Sequence, residues 1–239
     1  MRTAFLFAFL VCLGLLALPR VVHADPPSPD LLARLAATSA AMEDVRKRVS
    51  YAIETRVEEL DGDGKVTSTK TTSARVVKDE KGSHMVVIKE VEDGKDTTED
   101  ARKEMAKQDA RSDADKKKEH VEIPFTAEQQ TKYVFDQVET NPDDPTRVRI
   151  TFKPKDPDSR SVDGSAWVDT TSGQFLTAGF KIAKPGMFVD FAHVTVEVGG
   201  KTEIGPVVSK ITFEGKGGFL FIHKHFRGSA VLSDYKVTK

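Results

Sequence analysis

Two histidines near the C-terminus have a spacing that suggests metal binding. His223 and His225 stand two residues apart, and alternate residues of a strand point to the same face. Together with a third ligand such as His193 or His84, they could bind a metal ion. Lys224, which stands between them, is typical of an exposed strand, and we therefore interpret both histidines as surface residues. The sequence predicts neither a metal site nor a cofactor.

The remaining patterns that could support catalysis are weaker. The run from Asp61 to Lys65 begins like a calcium loop, but Lys65 and Val66 occupy the positions where such a loop needs an oxygen ligand and a glycine. We expect a hairpin turn there. The sequence has no Gly-x-Ser-x-Gly motif, and its single cysteine, Cys12, lies in the N-terminal apolar run. We therefore predict that the protein is not an enzyme.

Apolar side chains on strands suggest a different kind of site. Aromatic and aliphatic residues are concentrated around 219–226, where they fall on both faces of the final strand. Either both faces are covered by core packing, or one face contributes to a cavity. Under the second interpretation, the cavity candidates come from the first, middle and last strands. They are Val49, Tyr51, Ile53, Val57, Phe180, Ile182, Phe188, Phe191, Leu220, Ile222 and Phe226.

One amphipathic helix begins the elements that would position these side chains. From Asp30, a candidate N-cap, to Lys47, apolar residues recur at helical spacing. Beyond the helix the period changes to two, which predicts strands over 49–58, Val66–Lys78 and His84–Asp93. Tight turns join the three strands, and we expect them to form a meander.

A charged segment, Gly94–His120, then interrupts the strand pattern. It holds eight basic and eight acidic residues, and Met105 is its only large apolar side chain, so it can bury little surface. We expect a surface excursion, either a solvated helix with ion pairs four residues apart or a loop. A lid over a site is the functional alternative.

Strand signals resume at Tyr133 and continue to Val237, separated by turns that contain glycine or proline. We predict one of these turns at Gly215–Gly218 and a bend or bulge at Gly228. The total of about ten hairpin-linked strands predicts an α+β fold. Its centre is a strongly curved antiparallel sheet, an incomplete β-barrel, covered by the N-terminal helix and the charged mid-chain helix or loop.

The N-terminus has the pattern of a secretory signal. Arg2 gives a positive start, an apolar run follows over 4–18, and the residues up to Ala24 are compatible with signal-peptidase cleavage. We expect cleavage after Ala24 and a location in the bacterial periplasm. Residues 1–24 would then be the signal peptide, and 25–239 a single curved-sheet domain with the excursion at 94–120.

The charge balance narrows the choice of partner. The 36 basic residues fall to 34 without Arg2 and Arg20, against 37 acidic ones, which leaves a net charge of about −3. This balance argues against nucleic acid and against a strongly anionic membrane surface as the main partner. Loss of Cys12 leaves no thiol, so stability must come from the hydrophobic core.

One hairpin carries a family resemblance. Trp167-Val168-Asp169, a turn ending at Gly173 and the strand to Ile182, preceded by the strand 147–154, resemble the LolA/LolB-like superfamily of periplasmic outer-membrane lipoprotein-sorting proteins. The specific part of this resemblance covers only 147–181. It implies a curved antiparallel half-barrel closed by helices, with an apolar cavity that carries acyl chains. It transfers no individual site residue to this chain.

Two functions remain open at this point. The first is a non-enzymatic periplasmic carrier or binder of an apolar ligand, such as a lipid or an acylated lipoprotein. The second is an envelope scaffold that contacts a protein partner through the outer face of the sheet or through the charged segment. A continuous apolar cavity of several hundred Å³ would favour the first, and a filled core the second.

Overall fold

The computed structural model describes residues 25–79, 82–109, 123–186, 189–219 and 222–238. The helices in this part of the chain are α1 (Pro29–Arg48), α2 (Thr98–Asp109) and α3 (Ala127–Gln130). The strands are β1 (Val49–Leu60), β2 (Val66–Asp79), β3 (Gly82–Glu92), β4 (Lys95–Asp96), β5 (Tyr133–Thr140), β6 (Arg147–Pro154), β7 (Val162–Asp169), β8 (Phe175–Ile182), β9 (Val189–Glu197), β10 (Gly200–Thr202), β11 (Gly205–Val207), β12 (Lys210–Phe219) and β13 (Ile222–Val237).

Eleven of the strands form one curved antiparallel sheet in the order β4-β3-β2-β1-β13-β12-β9-β8-β7-β6-β5, and β10 and β11 form a separate hairpin. The predicted fold class is confirmed, as is the meander of the first three strands. The sheet consists of two meanders, one at each end of the chain, joined by the pairing of β1 with β13. The sheet remains open, with β4 and β5 at its edges.

The sheet has two different faces. Cross-strand partners in an antiparallel ladder lie on the same face, so pairs such as Ile53 with Leu232 and Phe213 with Gly228 mark one side. The helices pack on this side, which we call the helix face. The other side, which we call the open face, carries Arg56, Glu214 and Val231, and Val231 is 48% exposed there.

Helix α1 starts and ends on clear local signals. The hydroxyl of Ser28 accepts a hydrogen bond from the backbone N–H of Leu31 at 3.2 Å, and Pro29 follows at the first helical position. Ser28 is therefore the N-cap, in place of the predicted Asp30, which instead contributes negative charge to the first turn. The basic residues 46–48 complement the dipole at the other end. The helix itself is confirmed.

The main hydrophobic core lies between the first half of α1 and strands β5 to β8. Leu35 and Ile150 are fully buried, and the ring of Phe125 packs edge-on against Phe152, with centroids 5.2 Å apart. The buried members are Leu31, Leu35, Phe125, Tyr133, Phe135, Val148, Ile150, Phe152, Val162, Ala166, Val168 and Ala178. A second, small cluster of Val45, Val49 and Val207 lies under the other end of α1.

The charged segment contains a helix, one of its two predicted forms. Helix α2 carries ion pairs three residues apart, such as Arg102 with Glu99 and Lys107 with Glu104, instead of the predicted spacing of four. Arg102 also donates hydrogen bonds to the carbonyls of Val87 and Ile88 on β3. Arg102 thereby covers the part of the β3 edge that does not pair with the short strand β4. Residues 110–120 of the segment lie outside the described residues.

Two glycine predictions are wrong. Gly215–Gly218 is paired within β12, and β13 shows no irregularity at Gly228. A Cβ at Gly215 would lie 2.8 Å from the ring of Phe226, and one at Gly228 would lie 2.6 Å from the ring of Phe213. Both glycines therefore make room for aromatic rings on the helix face. The irregularity in β13 lies near Asp234, which has a φ of 51°.

The predicted signal peptide, residues 1–24, lies outside the described residues, so its cleavage and the domain boundary at 25 stay predictions. Among the described helices, none is both long and apolar enough to cross a membrane.

Candidate functional site

An apolar cavity of about 340 Å³ lies between α1 and the middle of the sheet. Its floor is the helix face of four neighbouring strands, with Phe180 on β8, Val196 on β9, Ile211 on β12 and Leu232 on β13. Met42 of α1 lies opposite, and Phe125 and Phe152 separate the cavity from the filled core. Its volume is within the range of ligand pockets, towards the lower end.

The cavity forms where α1 places one small residue over the sheet. Leu31 and Leu35 fill the space above β5 to β8. One turn after Leu35, the inward position holds Ser39, whose side chain is too short to reach the floor. The strands below continue to present aliphatic side chains, so apolar surface remains without a partner across the gap.

Two tyrosines in ring contact form one wall. The rings of Tyr51 and Tyr235 are 5.3 Å apart, and the Tyr235 hydroxyl donates a hydrogen bond to the carbonyl of Val208, next to the β10–β11 hairpin. Burial raises the pKa of both phenols above the ordinary value of 10. Both tyrosines therefore stay neutral at physiological pH and add no charge to the cavity.

The polar part of the wall comes from α1. Arg46 makes a bidentate ion pair with Glu43, with Nε to Oε2 at 2.8 Å and Nη2 to Oε1 at 2.7 Å. The hydrogen bond to Glu43 raises the pKa of Arg46, although burial acts in the opposite direction. Because Arg46 and Glu43 are paired with each other, the two cavity-lining charges of α1 are each partly neutralised.

Ser39 is the other polar residue of this wall. Its side chain is 6% exposed, and its Oγ has no hydrogen-bond partner among the described residues. A buried hydroxyl without a partner costs about 1–3 kcal/mol.

Three of the eleven predicted residues line the cavity: Val49, Tyr51 and Phe180. Ile53 is on the same face but lies under α2, in a second hollow of about 420 Å³. That hollow is charged, because Lys70 Nζ pairs there with Glu92 Oε2 at 3.0 Å and with Glu90. We therefore do not regard it as part of the apolar site.

Four more of the predicted residues lie beyond the cavity. Val57 and Phe226 are on the helix face near Phe213, whose ring centroid is 6.3 Å from that of Phe226. Ile182 pairs with Val162 at the end of β8. The prediction for Phe191 needs correction, because its ring contacts those of His193 and His225 at 5.5 and 5.9 Å on the open face. Phe191 and Val196 are an odd number of positions apart in β9, so their side chains point to opposite faces of the sheet.

The last three predicted residues are not placed by the structure. Phe188 and Leu220 lie outside the described residues, as does the side chain of Ile222.

The sequence prediction missed the contribution of α1. Ser39, Met42, Glu43 and Arg46 all line the cavity, at the spacing i, i+3, i+4 and i+7 of one helix face. That spacing is visible in the sequence, but the mixture of polar and apolar residues concealed it. Tyr235 was also missed, because the irregularity at Asp234 shifts the alternation of β13 just before it.

The open face is a network of charged residues. Glu58 accepts hydrogen bonds from Arg56 and Arg227, at 2.9 Å each, and these bonds lower its pKa. His225 Nε2 lies 2.8 Å from Glu214 Oε1. Among the described residues, no cluster of three or more His, Cys, Asp or Glu side chains could hold a metal ion. The side chain of His223 lies outside this part of the chain.

Neither a protein-family model nor a curated protein matches the sequence. Solved structures with a similar chain trace include an outer membrane lipoprotein-sorting protein domain from Vibrio parahaemolyticus, with 9% identity and a TM-score of 0.38 over 86% of this chain and 91% of that one.

Two further solved structures are similar. One is a DUF1329 family protein from Desulfovibrio piger, with 11% identity and a TM-score of 0.40 over 89% of this chain and 93% of that one. The other is a LolA superfamily protein from Nitrosomonas europaea, with 9% identity and a TM-score of 0.34 over 84% and 94%.

Proposed function

We propose that this protein is a non-enzymatic binder and carrier of an apolar ligand, such as a lipid or an acylated protein. The observation that carries the proposal is the apolar cavity of about 340 Å³, which adjoins a core in which Leu35 and Ile150 are fully buried. The cavity is concave and lined mainly by apolar side chains, as ligand pockets generally are. Burying an alkyl chain there would gain about 0.8 kcal/mol per methylene relative to water.

The proposed compartment is the periplasm, reached by the N-terminal signal. The carbonyl of Asp25 accepts a hydrogen bond from the backbone N–H of Gln137 on the edge strand β5, at 2.7 Å. A chain cleaved after Ala24 would thus begin at a residue attached to the sheet. Mass spectrometry of protein from the periplasmic fraction should give a chain that starts at Asp25. Recovery of the uncleaved chain in the cytoplasm would contradict this location.

Two adjacent residues of β13 allow a matched test of ligand binding. Leu232 lines the cavity, and Val231 points to the open face. Leu232→Trp should fill the cavity and abolish uptake of the apolar dye N-phenyl-1-naphthylamine, whereas Val231→Trp should leave uptake unchanged. Dye fluorescence measures the uptake, and thermal unfolding checks that both variants fold.

Failure of the wild-type protein to bind this dye, together with the absence of acyl lipid from protein purified without detergent, would overturn the proposal. Equal uptake by Leu232→Trp and Val231→Trp would place the dye outside the cavity and overturn it as well.

The second candidate function is a protein-interaction module, and one observation favours it. Val86 and Ile88 on β3 are 46% and 54% exposed. The charged helix α2 is attached to the same strand, because Arg102 donates to the carbonyl of Ile88. Under this alternative, replacing Val86 and Ile88 by serine would abolish capture of an envelope protein and leave dye uptake unchanged. Loss of dye uptake in the Leu232→Trp variant alone would favour the carrier.

A further inference from the structure

The open face carries a hollow of about 420 Å³ that has no part in the proposed function. It lies over β1, β13, β12 and β9, on the side of the sheet opposite α1. Three charged side chains and three hydroxyl side chains are prominent in its lining: Arg56, Glu58, Arg227, Thr195, Thr212 and Ser229. A hollow of this volume is large enough for a small organic ligand.

One carboxylate holds two guanidinium groups beside this hollow. Glu58 Oε1 accepts hydrogen bonds from Nε and Nη2 of Arg56, at 3.1 and 2.9 Å, and Oε2 accepts one from Nε of Arg227 at 2.9 Å. Within the described part of the chain, Nη1 of Arg56 and both terminal nitrogens of Arg227 have no partner. Glu58 therefore positions the two arginines and leaves N–H donors available to a ligand.

The three hydroxyl groups lie in one row on the same face. Arg56, Ser229, Thr212 and Thr195 are successive cross-strand partners, so their side chains follow one another across four strands. The three hydroxyl side chains are half-buried, and none has a hydrogen-bond partner among the residues that the structure describes. Because neighbouring strands are about 4.8 Å apart, the row extends over about 14 Å. It can therefore contact a ligand much larger than an inorganic ion.

The unused hydrogen-bonding groups of the hollow are mainly donors. Its other carboxylate, Glu214, lies 2.8 Å from His225 Nε2 and so already has a protein partner, as Glu58 has. Lys181, the cross-strand partner of His193 in the lining, and Lys216, two residues beyond Glu214, add positive charge at the border. An acceptor-rich anion therefore suits the hollow best, and phosphate is the anion whose oxygens arginine pairs commonly bind.

We propose that this hollow binds a sugar phosphate. The phosphate group lies against Arg56 and Arg227, and the sugar hydroxyls contact Thr195, Thr212 and Ser229. Hydroxyl side chains both donate and accept, which suits a sugar, and a phosphate monoester carries a charge of about −1.5 to −2 at pH 7. The hollow and the apolar cavity are on opposite faces of the sheet, so this second ligand site does not depend on the proposed function.

The test compares three probes on the full chain by isothermal titration calorimetry at low salt. Glucose 6-phosphate carries both chemical groups, inorganic phosphate only the anion, and glucose only the sugar. We expect glucose 6-phosphate to bind most tightly, inorganic phosphate more weakly, and glucose not measurably. High salt should weaken the binding of both anions, because it screens exposed charges.

Variants separate the two parts of the site. Arg227→Gln should weaken both anions by about tenfold, because it removes a charged donor. Thr212→Val should weaken glucose 6-phosphate by about fivefold and leave inorganic phosphate unchanged, whereas Thr212→Ser should retain the affinity. Arg75→Gln is the matched control. Arg75 is on the same face but pairs with Asp234 at 3.7 Å outside the hollow, so all affinities should stay unchanged.

Glucose binding as tight as that of glucose 6-phosphate, or no measurable binding of either anion, would overturn the proposal. Equal losses in Arg227→Gln and Arg75→Gln would indicate general attraction to the face and overturn the site as well. Equal affinity for inorganic phosphate and glucose 6-phosphate would support the phosphate contact and overturn the sugar contact.

Two checks accompany these variants. Thermal unfolding shows whether each variant folds, and Arg56→Gln tests the other member of the arginine pair if Arg227→Gln does not fold. Uptake of N-phenyl-1-naphthylamine should be the same in all of them as in the wild type, since the apolar cavity is on the other face. Loss of dye uptake together with phosphate binding would overturn the separation of the two sites.

Discussion

The two halves of the sheet differ in what covers them, although one helix crosses both. Over β5 to β7, Leu31, Leu35 and Phe125 pack against the buried strand residues, and Phe125 also borders the cavity. Over β9, β12, β13 and β1, the same helix presents Ser39, Met42 and the Glu43–Arg46 pair, and a cavity of about 340 Å³ remains. The filled half can hold the fold, which leaves the hollow half available for a ligand.

This contrast predicts unequal costs for the same kind of truncation. Ile150 in the filled half is fully buried, so Ile150→Ala should lower the free energy of unfolding by about 3–4 kcal/mol. Leu232 already borders empty space, so Leu232→Ala should cost only about 1–2 kcal/mol in the unliganded protein. Urea unfolding of both variants measures the difference. Equal losses would mean that the two halves are packed alike.

A bound ligand should stabilise the variants whose cavity is open and not the variant whose cavity is filled. At a dye concentration of about 100 times the dissociation constant, N-phenyl-1-naphthylamine should stabilise the wild type and Ile150→Ala by about 2.7 kcal/mol. Leu232→Trp should gain nothing, because its cavity is filled. Thermal unfolding with and without dye measures these gains. An equal gain in all three proteins would place the binding site in neither half.

Replacing Ser39 should change the free energy of unfolding by a smaller amount. In the unliganded protein, Ser39→Ala should raise the free energy of unfolding by about 1 kcal/mol, because it removes a buried hydroxyl without a partner and adds a better helix former. Thr38→Ala serves as the control and should show no gain, since it loses a hydrogen bond to Ser172. Destabilisation by Ser39→Ala would show that the hydroxyl supports the empty fold.

The smallest expected effect is a pH dependence in the filled half. Asp169 accepts hydrogen bonds from the Ser172 N–H at 2.7 Å and the Ser172 hydroxyl at 2.9 Å, which hold the pKa of its carboxyl below the ordinary 3.8. A lowered folded-state pKa contributes stability above 3.8 that is lost as the pH falls through the folded value. Asp169→Asn should therefore cost less than about 1 kcal/mol at pH 7, since the carboxylate is partly exposed and screened by solvent.

The stability gap between the wild type and Asp169→Asn should shrink as the pH falls below 3.8. Urea unfolding at pH 7 and in acid measures this change. A gap that is the same at both pH values would show that the carboxylate charge plays no part in the turn.

Local patterns predicted most of the elements correctly. Alternation gave β6 at 147–154 to within one residue, and helical spacing gave α1 to within one residue at each end. The predicted hairpin turn at Asp61 is also present, because its carboxylate accepts from the backbone N–H groups of Asp63 and Lys65. These features depend on neighbours within a few residues, so the sequence contains the information directly.

The site was predicted less well than the fold. Val49, Tyr51 and Phe180 are at the cavity, whereas Phe191 lies on the open face of β9. Composition identified apolar strands, and only the register between strands assigns their side chains to one face or the other. Gly215 was misinterpreted for a similar reason, since the ring that it accommodates belongs to the neighbouring strand.

The sequence by itself determined most of the helix and strand segments and where several turns occur. Those properties follow from backbone preferences and short-range periodicity. The tertiary structure decided that β1 pairs with β13, that α1 crosses both halves of the sheet, and that Ser39 stands over its hollow part. These features join residues far apart in the chain, and a cavity exists only where two such surfaces fail to fill the space between them.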